Sequence, residues 1–140
     1  MILVTFENHI STIVILKKYS LILILFFSIS VSADTFDDVA LAIKKSNQKD
    51  ISKYFNQTVE LTILDNEGVY SKPQAEVILK NFFAQNPPTN VAINHRGSST
   101  QGSKYATAIY EYSKGKYRIY IYMKESATGM IIQELRIEKE

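Results

Sequence analysis

Two neighbouring segments within residues 105–124 constrain the fold more than any other part of the sequence. Both are rich in β-branched and aromatic residues, which suit the pleated surface of a sheet. They are separated by the turn sequence Ser-Lys-Gly-Lys at residues 113–116. Two such runs joined by a short glycine-containing loop predict a β-hairpin.

The register of this hairpin follows from the turn. A two-residue turn at residues 114–115 opposes Tyr112 to Tyr117 and Glu111 to Arg118, and the charge pair across the strands favours this register. Successive side chains then alternate between two faces. The uncharged face, predicted to meet the core, consists of Ala106, Ala108, Tyr110, Tyr112, Tyr117, Ile119, Ile121 and Met123. The outer face consists of Tyr105, Thr107, Ile109, Glu111, Arg118, Tyr120, Tyr122 and Lys124.

Residues 1–33 have the anatomy of a secretory signal peptide. Lys17 and Lys18 precede an apolar run over residues 19–31, and small residues at 31–33 provide a cleavage site before Asp34. The alternative is a transmembrane anchor, but the apolar run is shorter than the roughly 20 residues that a spanning helix needs. We therefore expect export to the periplasm or the exterior, with one domain over residues 34–140 and no stable membrane span after cleavage.

Composition excludes several classes of function. The formal net charge is +2, which provides no basic field for a nucleic acid. The chain has no cysteine, so disulfides, thiol catalysis and cysteine-ligated metals are excluded. His95 is the one histidine of the domain, which rules out a histidine-rich zinc site. We expect no cofactor and no metal.

Three stretches have the spacing of amphipathic helices. The first begins at Asp34 or Thr35, and a short second helix is capped by Asp50 and ends near Asn56. The third follows a capping box at residues 71–74 and is ended by two consecutive prolines. The apolar stripe of the third helix consists of Ala75, Ile78, Leu79, Phe82 and Phe83.

Alternation of apolar and polar residues predicts further strands around the hairpin. One spans residues 58–64 and returns in a short strand at residues 69–70. Two more lie at residues 91–96 and 130–138. The residues of these last two strands that are predicted to face the core are Val91, Ile93 and His95, and Ile131, Leu135 and Ile137.

The element order and the lead into the third helix at residues 68–73 resemble the nuclear-transport-factor-2-like (NTF2-like, SnoaL-like) fold. More narrowly, residues 95–99, 105–112, 115–120 and 133–137 resemble domain-of-unknown-function family 4783, a family of small exported bacterial proteins. The resemblance implies the α+β class, with three N-terminal helices packed on a curved antiparallel sheet that forms a cone. It also implies that pairing through the sheet is common, but it carries no established activity.

Enzymes that this fold resembles, the steroid isomerases and polyketide cyclases, use a carboxylate inside the apolar cone, where burial raises its proton affinity. Glu60, Glu111 and Glu134 are out of phase with the core residues of their strands, and Asp65 opens a turn. No catalytic residue is therefore predicted. The preferred interpretation is a non-enzymatic binding domain for a small molecule or a protein. The alternatives are an isomerase- or cyclase-type enzyme that uses the cone pocket and a purely structural partner subunit.

Two sets of residues are candidates for binding. The mouth of the cone is predicted to hold a ligand among His95, Tyr110, Tyr112 and Tyr117; the alternative is ordinary core packing, with His95 bonded to a backbone carbonyl or a nearby turn. A homodimer interface on the outer sheet face is predicted at Tyr105, Ile109, Tyr120 and Tyr122. The alternative for this second set is a solvated tyrosine ladder.

Overall fold

The computed structural model describes residues 34–99 and 101–140, so the predicted signal peptide lies outside the described residues. The elements in chain order are α1 (Thr35–Lys44), α2 (Gln48–Ser52), β1 (Phe55–Ile63), β2 (Asn66–Ser71), α3 (Lys72–Gln85), β3 (Pro88–Ser98), β4 (Ser103–Tyr112), β5 (Gly115–Ser126) and β6 (Gly129–Lys139). This order of helices and strands is the predicted one. Within the described part of the chain, no helix combines the length and the apolar character needed to cross a membrane.

The six strands form one sheet in the order β2-β1-β6-β5-β4-β3. All neighbouring strands are antiparallel except β1 and β6, which are parallel. The prediction of a wholly antiparallel sheet was therefore wrong at this pair. Strands joined by a tight turn must run in opposite directions, but β1 and β6 are far apart in sequence and have no such constraint.

The helices differ from expectation in two respects. The resemblance implied three N-terminal helices, but α3 lies between β2 and β3, as the element order of the sequence predicts, so only α1 and α2 precede the sheet. The cap of α2 is Asn47, whose side chain accepts from the Asp50 N–H at 3.2 Å, so Asp50 lies within the helix rather than before it. Phe55, predicted to be helical, begins β1 instead.

Helix α3 follows the predicted capping box. The Ser71 N–H donates to Oε1 of Gln74 at 3.0 Å, which satisfies one of the free donors at the helix start. Four residues of the predicted apolar stripe are buried, and the fifth, Ile78, is partly buried against the core. The core itself lies between the three helices and the inner face of the sheet.

The central hairpin has the predicted faces but a different register. The turn residues are Ser113 and Lys114, so Tyr112 opposes Gly115 and Tyr110 opposes Tyr117. Relative to the prediction, the pairing is shifted by two residues. Because side chains alternate with a period of two, an even shift preserves both faces. Glu111 consequently pairs with Lys116, at 3.0 Å between Oε1 and Nζ, and not with Arg118.

Register shifts in two strands overturn the predicted orientation of two residues. In β3 the pairing with β4 shifts between Ile93 and His95, so His95 lies on the outer face. In β6 the pairing with β5 shifts at Gln133, so Ile132 is buried and Ile131 is only half-buried. An extra residue in one strand of a ladder reverses the faces beyond it, and simple alternation in the sequence does not reveal it.

Candidate functional site

The tyrosines predicted to line the cone mouth are packed against the end of helix α3. Tyr110 is 0% exposed, and its hydroxyl donates to the backbone carbonyl of Asn86, the C-cap of α3. The Tyr117 hydroxyl donates to Oδ1 of the same Asn86 at 3.1 Å. Both hydroxyls are therefore occupied by one residue of the protein and are not directed at an open cavity.

Aromatic packing fixes the position of these rings. The Tyr112 and Tyr117 rings are stacked, with centroids 4.6 Å apart and planes within 8°. The Phe82 ring contacts Tyr110 and Tyr117 with centroids at 5.7 and 5.5 Å. Burial raises the pKa of Tyr110, and burial together with the neighbouring Tyr112 hydroxyl raises the pKa of Tyr117 to about 12. This geometry matches the core-packing alternative for the three tyrosines.

His95 does not join this group. The register shift in β3 places it on the outer face, where Nε2 lies 3.3 Å from the Tyr105 hydroxyl and the two ring centroids are 5.7 Å apart. The predicted set of four residues is thus divided between the two faces of the sheet. The prediction that His95 lies beside Tyr110 was wrong because it assumed uninterrupted alternation through the strand.

The outer face carries a group of side chains that we call the outer-face cluster. It consists of the rings of His95, Tyr105, Tyr120 and Tyr122 and the guanidinium group of Arg136. Tyr105 and Tyr120 are stacked with centroids 6.2 Å apart, and Tyr105 lies opposite Tyr122 in the ladder. The guanidinium carbon of Arg136 lies 5.5 Å from the centre of the Tyr120 ring, within range of a cation–π interaction. Ile109, from the predicted interface, lies further along the same face.

Charged side chains around this cluster are mutually paired. Arg136 donates through Nε to Oε1 of Glu134, and Lys116 pairs with Glu111 at 3.0 Å. Partial burial and then the negative charge of Glu134 raise the pKa of Tyr120, so its hydroxyl stays protonated at neutral pH. Sequence reasoning found the tyrosines of this face, but it assigned His95 to the opposite face and did not name Arg136. Strand pairing, which places Arg136 opposite Tyr120 and His95 opposite Thr107 next to Tyr105, is the signal that would have found both.

The described residues offer little for acid–base or metal chemistry. Their buried polar side chains are Ser52, Thr62 and Ser103, which include neither a carboxylate nor an imidazole. Within residues 34–99 and 101–140, no three acidic, histidine or cysteine side chains converge as they would to hold a metal ion.

Solved structures share this fold over most of the chain. A DUF4783 family protein from Bacteroides uniformis is 23% identical, with a TM-score of 0.71 over 76% of this chain and 98% of that one. A DUF4783 family protein from Bacteroides fragilis is 25% identical, with a TM-score of 0.68 over 74% of this chain and 96% of that one. A designed NTF2-like protein with a long sheet is 14% identical, with a TM-score of 0.60 over 72% of this chain and 94% of that one.

These similarities confirm the α+β class, the curved sheet and the NTF2-like fold. No curated protein matched the chain. The model of the family described as Domain of unknown function (DUF4783) matches residues 36–138. That match covers most of the sequence and confirms the resemblance noted in the strand sequences, so the chain belongs to the DUF4783 family.

Proposed function

We propose that this chain is an exported, non-enzymatic binding domain whose outer sheet face recognises a second copy of the chain. The observation that carries the proposal is the outer-face cluster. On the face of the sheet opposite the helices, Tyr105 stacks on Tyr120, His95 contacts Tyr105, and Arg136 lies over the Tyr120 ring. Export rests on the signal-peptide anatomy of residues 1–33.

The chemistry of this face suits a protein surface. A tyrosine ring can bury roughly 150–250 Å² and still leave its hydroxyl free for a hydrogen bond. Tyrosine and arginine are enriched in interfaces, and three tyrosines and Arg136 meet here. The Tyr105, Tyr120 and Tyr122 side chains are all partly buried in the single chain, and a partner on this face would cover the part of each ring that stays exposed.

Charge supports a second copy as that partner. Three ion pairs lie on this face: Glu111 with Lys116, Glu138 with Arg118, and Glu134 with Arg136. Because each of these pairs is charge-balanced, they form no block of like charge that would repel a second copy meeting the face. A two-fold dimer is the simplest closed assembly for such a self-complementary surface.

The alternative of a cone-pocket isomerase or cyclase gains no comparable support. That chemistry needs a base within the apolar interior. In the described residues the interior position nearest the cone mouth is filled by Tyr110, whose hydroxyl is committed to Asn86. We therefore do not advance the enzymatic alternative.

Light scattering of the exported form, recovered after expression of the full chain, tests the proposal. We expect a concentration-dependent dimer that Ile109→Glu and Tyr120→Lys each weaken, because each places a charge among the apolar groups of the face. Leu41→Glu is the matched control, since Leu41 is 49% exposed on helix α1. A wild type that stays monomeric to ~100 μM, where binding is worth less than about 5.5 kcal/mol, contradicts the proposal.

A further inference from the structure

The two edges of the sheet are protected unequally. At one edge, β3 begins with Pro88 and is interrupted by two register shifts, and Lys44 of α1 donates to Oδ1 of Asn90 at 3.1 Å. At the other edge, β2 pairs with β1 through six residues without a shift and contains neither proline nor lysine. Natural proteins block free edges with bulges, prolines and lysines. Within the described residues, β3 has register shifts and a proline, whereas β2 carries one charged residue, Glu67, but no register shift, proline or lysine.

The backbone of β2 presents free hydrogen-bonding groups at this edge. Ile63 opposes Asn66 across a two-residue turn, which makes them a hydrogen-bonded pair, and the pairs then alternate along an antiparallel ladder. Counting from the turn, Glu67 and Val69 direct their N–H and C=O groups away from β1, whereas the next outward residue, Ser71, already donates its N–H to Gln74 in the capping box. Glu67 and Val69 therefore provide the free donors and acceptors with which an additional strand would pair.

An apolar groove of about 460 Å³ lies beside this edge, between β2 and helix α3. Its lining residues are Tyr70, Pro73, Gln74, Val77 and Ile78. Val77 is 57% exposed because it lies off the buried stripe of α3, and Val69 on the edge strand is 70% exposed. Of the two, Val77 lines the groove, whereas Val69 pairs with Glu60 and lies on the outer face, so each face of this edge carries one exposed valine that an added strand would flank.

The free edge and the groove are suited to the same occupant. Side chains of a strand added beside β2 alternate between the two faces of the sheet. Those on the inner face, the face that carries Tyr70, lie over the groove. We infer that β2 is a docking site for an extended segment of a partner protein, which adds a seventh strand and places apolar side chains at every second position into the groove.

A second copy of β2 does not meet this requirement. At the inner-face positions it offers Gly68 and Tyr70, and glycine has no side chain to fill the groove. The Tyr70 ring already lies over Gly68, where a built Cβ would be 2.8 Å from the ring. The site is also separate from the outer-face cluster, so its test can fail independently of the light-scattering test.

Amide hydrogen exchange on the exported form tests this inference. The probe is a short synthetic peptide of alternating valine and threonine with lysine at each end, and its control is the same peptide with a central proline. At a peptide concentration of about ten times Kd, we expect exchange at Glu67 and Val69 to slow about tenfold. Gly68 and Tyr70, which already bond to β1, should not change.

Two variants separate the backbone and groove contributions. Val69→Pro removes one outward N–H but leaves the pairing with β1 intact, so it should abolish peptide binding, whereas Val69→Thr should retain it. Val77→Asp places a charge in the groove and should weaken binding at least tenfold. The inference is overturned if Val69→Pro and Val77→Asp bind like the wild type, if protection appears at β3 instead, or if the edge is protected at rising protein concentration without peptide.

Discussion

The ring of Tyr105 lies directly over Gly97, its partner on the neighbouring strand. A Cβ built on Gly97 would overlap the ring atoms, so the absence of a side chain at this position allows the ring to lie flat on the sheet. Tyr105 in turn stacks on Tyr120 and contacts His95. The arrangement of the outer-face cluster thus depends on a glycine that carries no functional group of its own.

Gly97→Ala should therefore disrupt the cluster more than the fold. The atoms in conflict belong to the far end of the Tyr105 side chain, which can rotate away, so we expect a loss of about 1 kcal/mol or less in urea unfolding. The Tyr105–Tyr120 stacking should be lost, and self-association should weaken as it does in Tyr120→Lys. In the Tyr105→Ala background the same substitution should have little further effect. An unchanged dimer in Gly97→Ala would show that the stacking is not needed for association.

Phe82→Ala should be among the most destabilising single changes in the domain. Phe82 is buried and contacts Phe83, Tyr110 and Tyr117. Truncation of a buried phenylalanine costs about 3–5 kcal/mol, because both transfer energy and packing are lost. Val77→Ala on the exposed side of the same helix is the control and should change the free energy of unfolding by less than about 0.5 kcal/mol. A loss below about 1 kcal/mol for Phe82→Ala would contradict the position of α3.

Asn86→Ala should destabilise the domain mainly because it leaves the Tyr117 hydroxyl without a hydrogen-bond partner. The substitution removes the Oδ1 that accepts from Tyr117 at 3.1 Å, and a buried unpaired polar group costs about 1–3 kcal/mol. Tyr117→Phe removes the other partner, so the double variant should be less destabilised than the sum of the single variants. Urea unfolding of all four proteins measures this coupling, and strictly additive losses would mean that the bond contributes nothing.

The sequence predicted the order of the elements and the two faces of the central hairpin because both depend on local patterns. The faces were correct although the register was shifted by two, since an even shift leaves Tyr110 and Ile119 inside and Tyr120 outside. The tyrosines and Ile109 of the predicted interface accordingly share one face of the sheet. Their role in association stays a prediction.

The errors arise where a residue's surroundings are set by a distant part of the chain. His95 was assigned to the wrong face because the shift in β3 is defined only by its pairing with β4. The parallel pairing of β1 with β6 joins the first and last strands. The alternation of apolar and polar residues within either strand does not reveal which strand it pairs with or in which direction. Arg136 reaches the Tyr120 ring through the same kind of long-range contact.

The signal-peptide interpretation predicts that the exported protein begins at Asp34. The positive residues, the apolar run and the small residues before Asp34 occur in the order that signal peptidases recognise. Asp34 is also the N-cap of α1, with Oδ1 accepting from the Phe36 N–H at 3.4 Å, so cleavage there leaves the helix start intact. N-terminal sequencing of exported material is the measurement, and recovery of an uncleaved, membrane-bound form would refute it.

Alkaline titration should reveal the buried Tyr110 and Tyr117 as late-titrating tyrosines. An exposed tyrosine ionises with a pKa near 10, whereas burial raises the pKa of Tyr117 to about 12 and also raises that of Tyr110. Because the raised pKa belongs to the folded state, the associated stability is fully present below pH 10 and is lost as the pH rises from about 10 to 12.

Tyrosinate absorbance of the folded protein should therefore rise in two steps, the second above pH 11, and the thermal midpoint should fall over the same interval. Tyr117→Phe removes one of the late-titrating groups, so its midpoint should decline less steeply between pH 10 and 12. In denaturant, all tyrosines should titrate together near pH 10. A single step near pH 10 in the folded protein would mean that the Tyr110 and Tyr117 hydroxyls are accessible to water, and the closed packing around Asn86 would then be wrong.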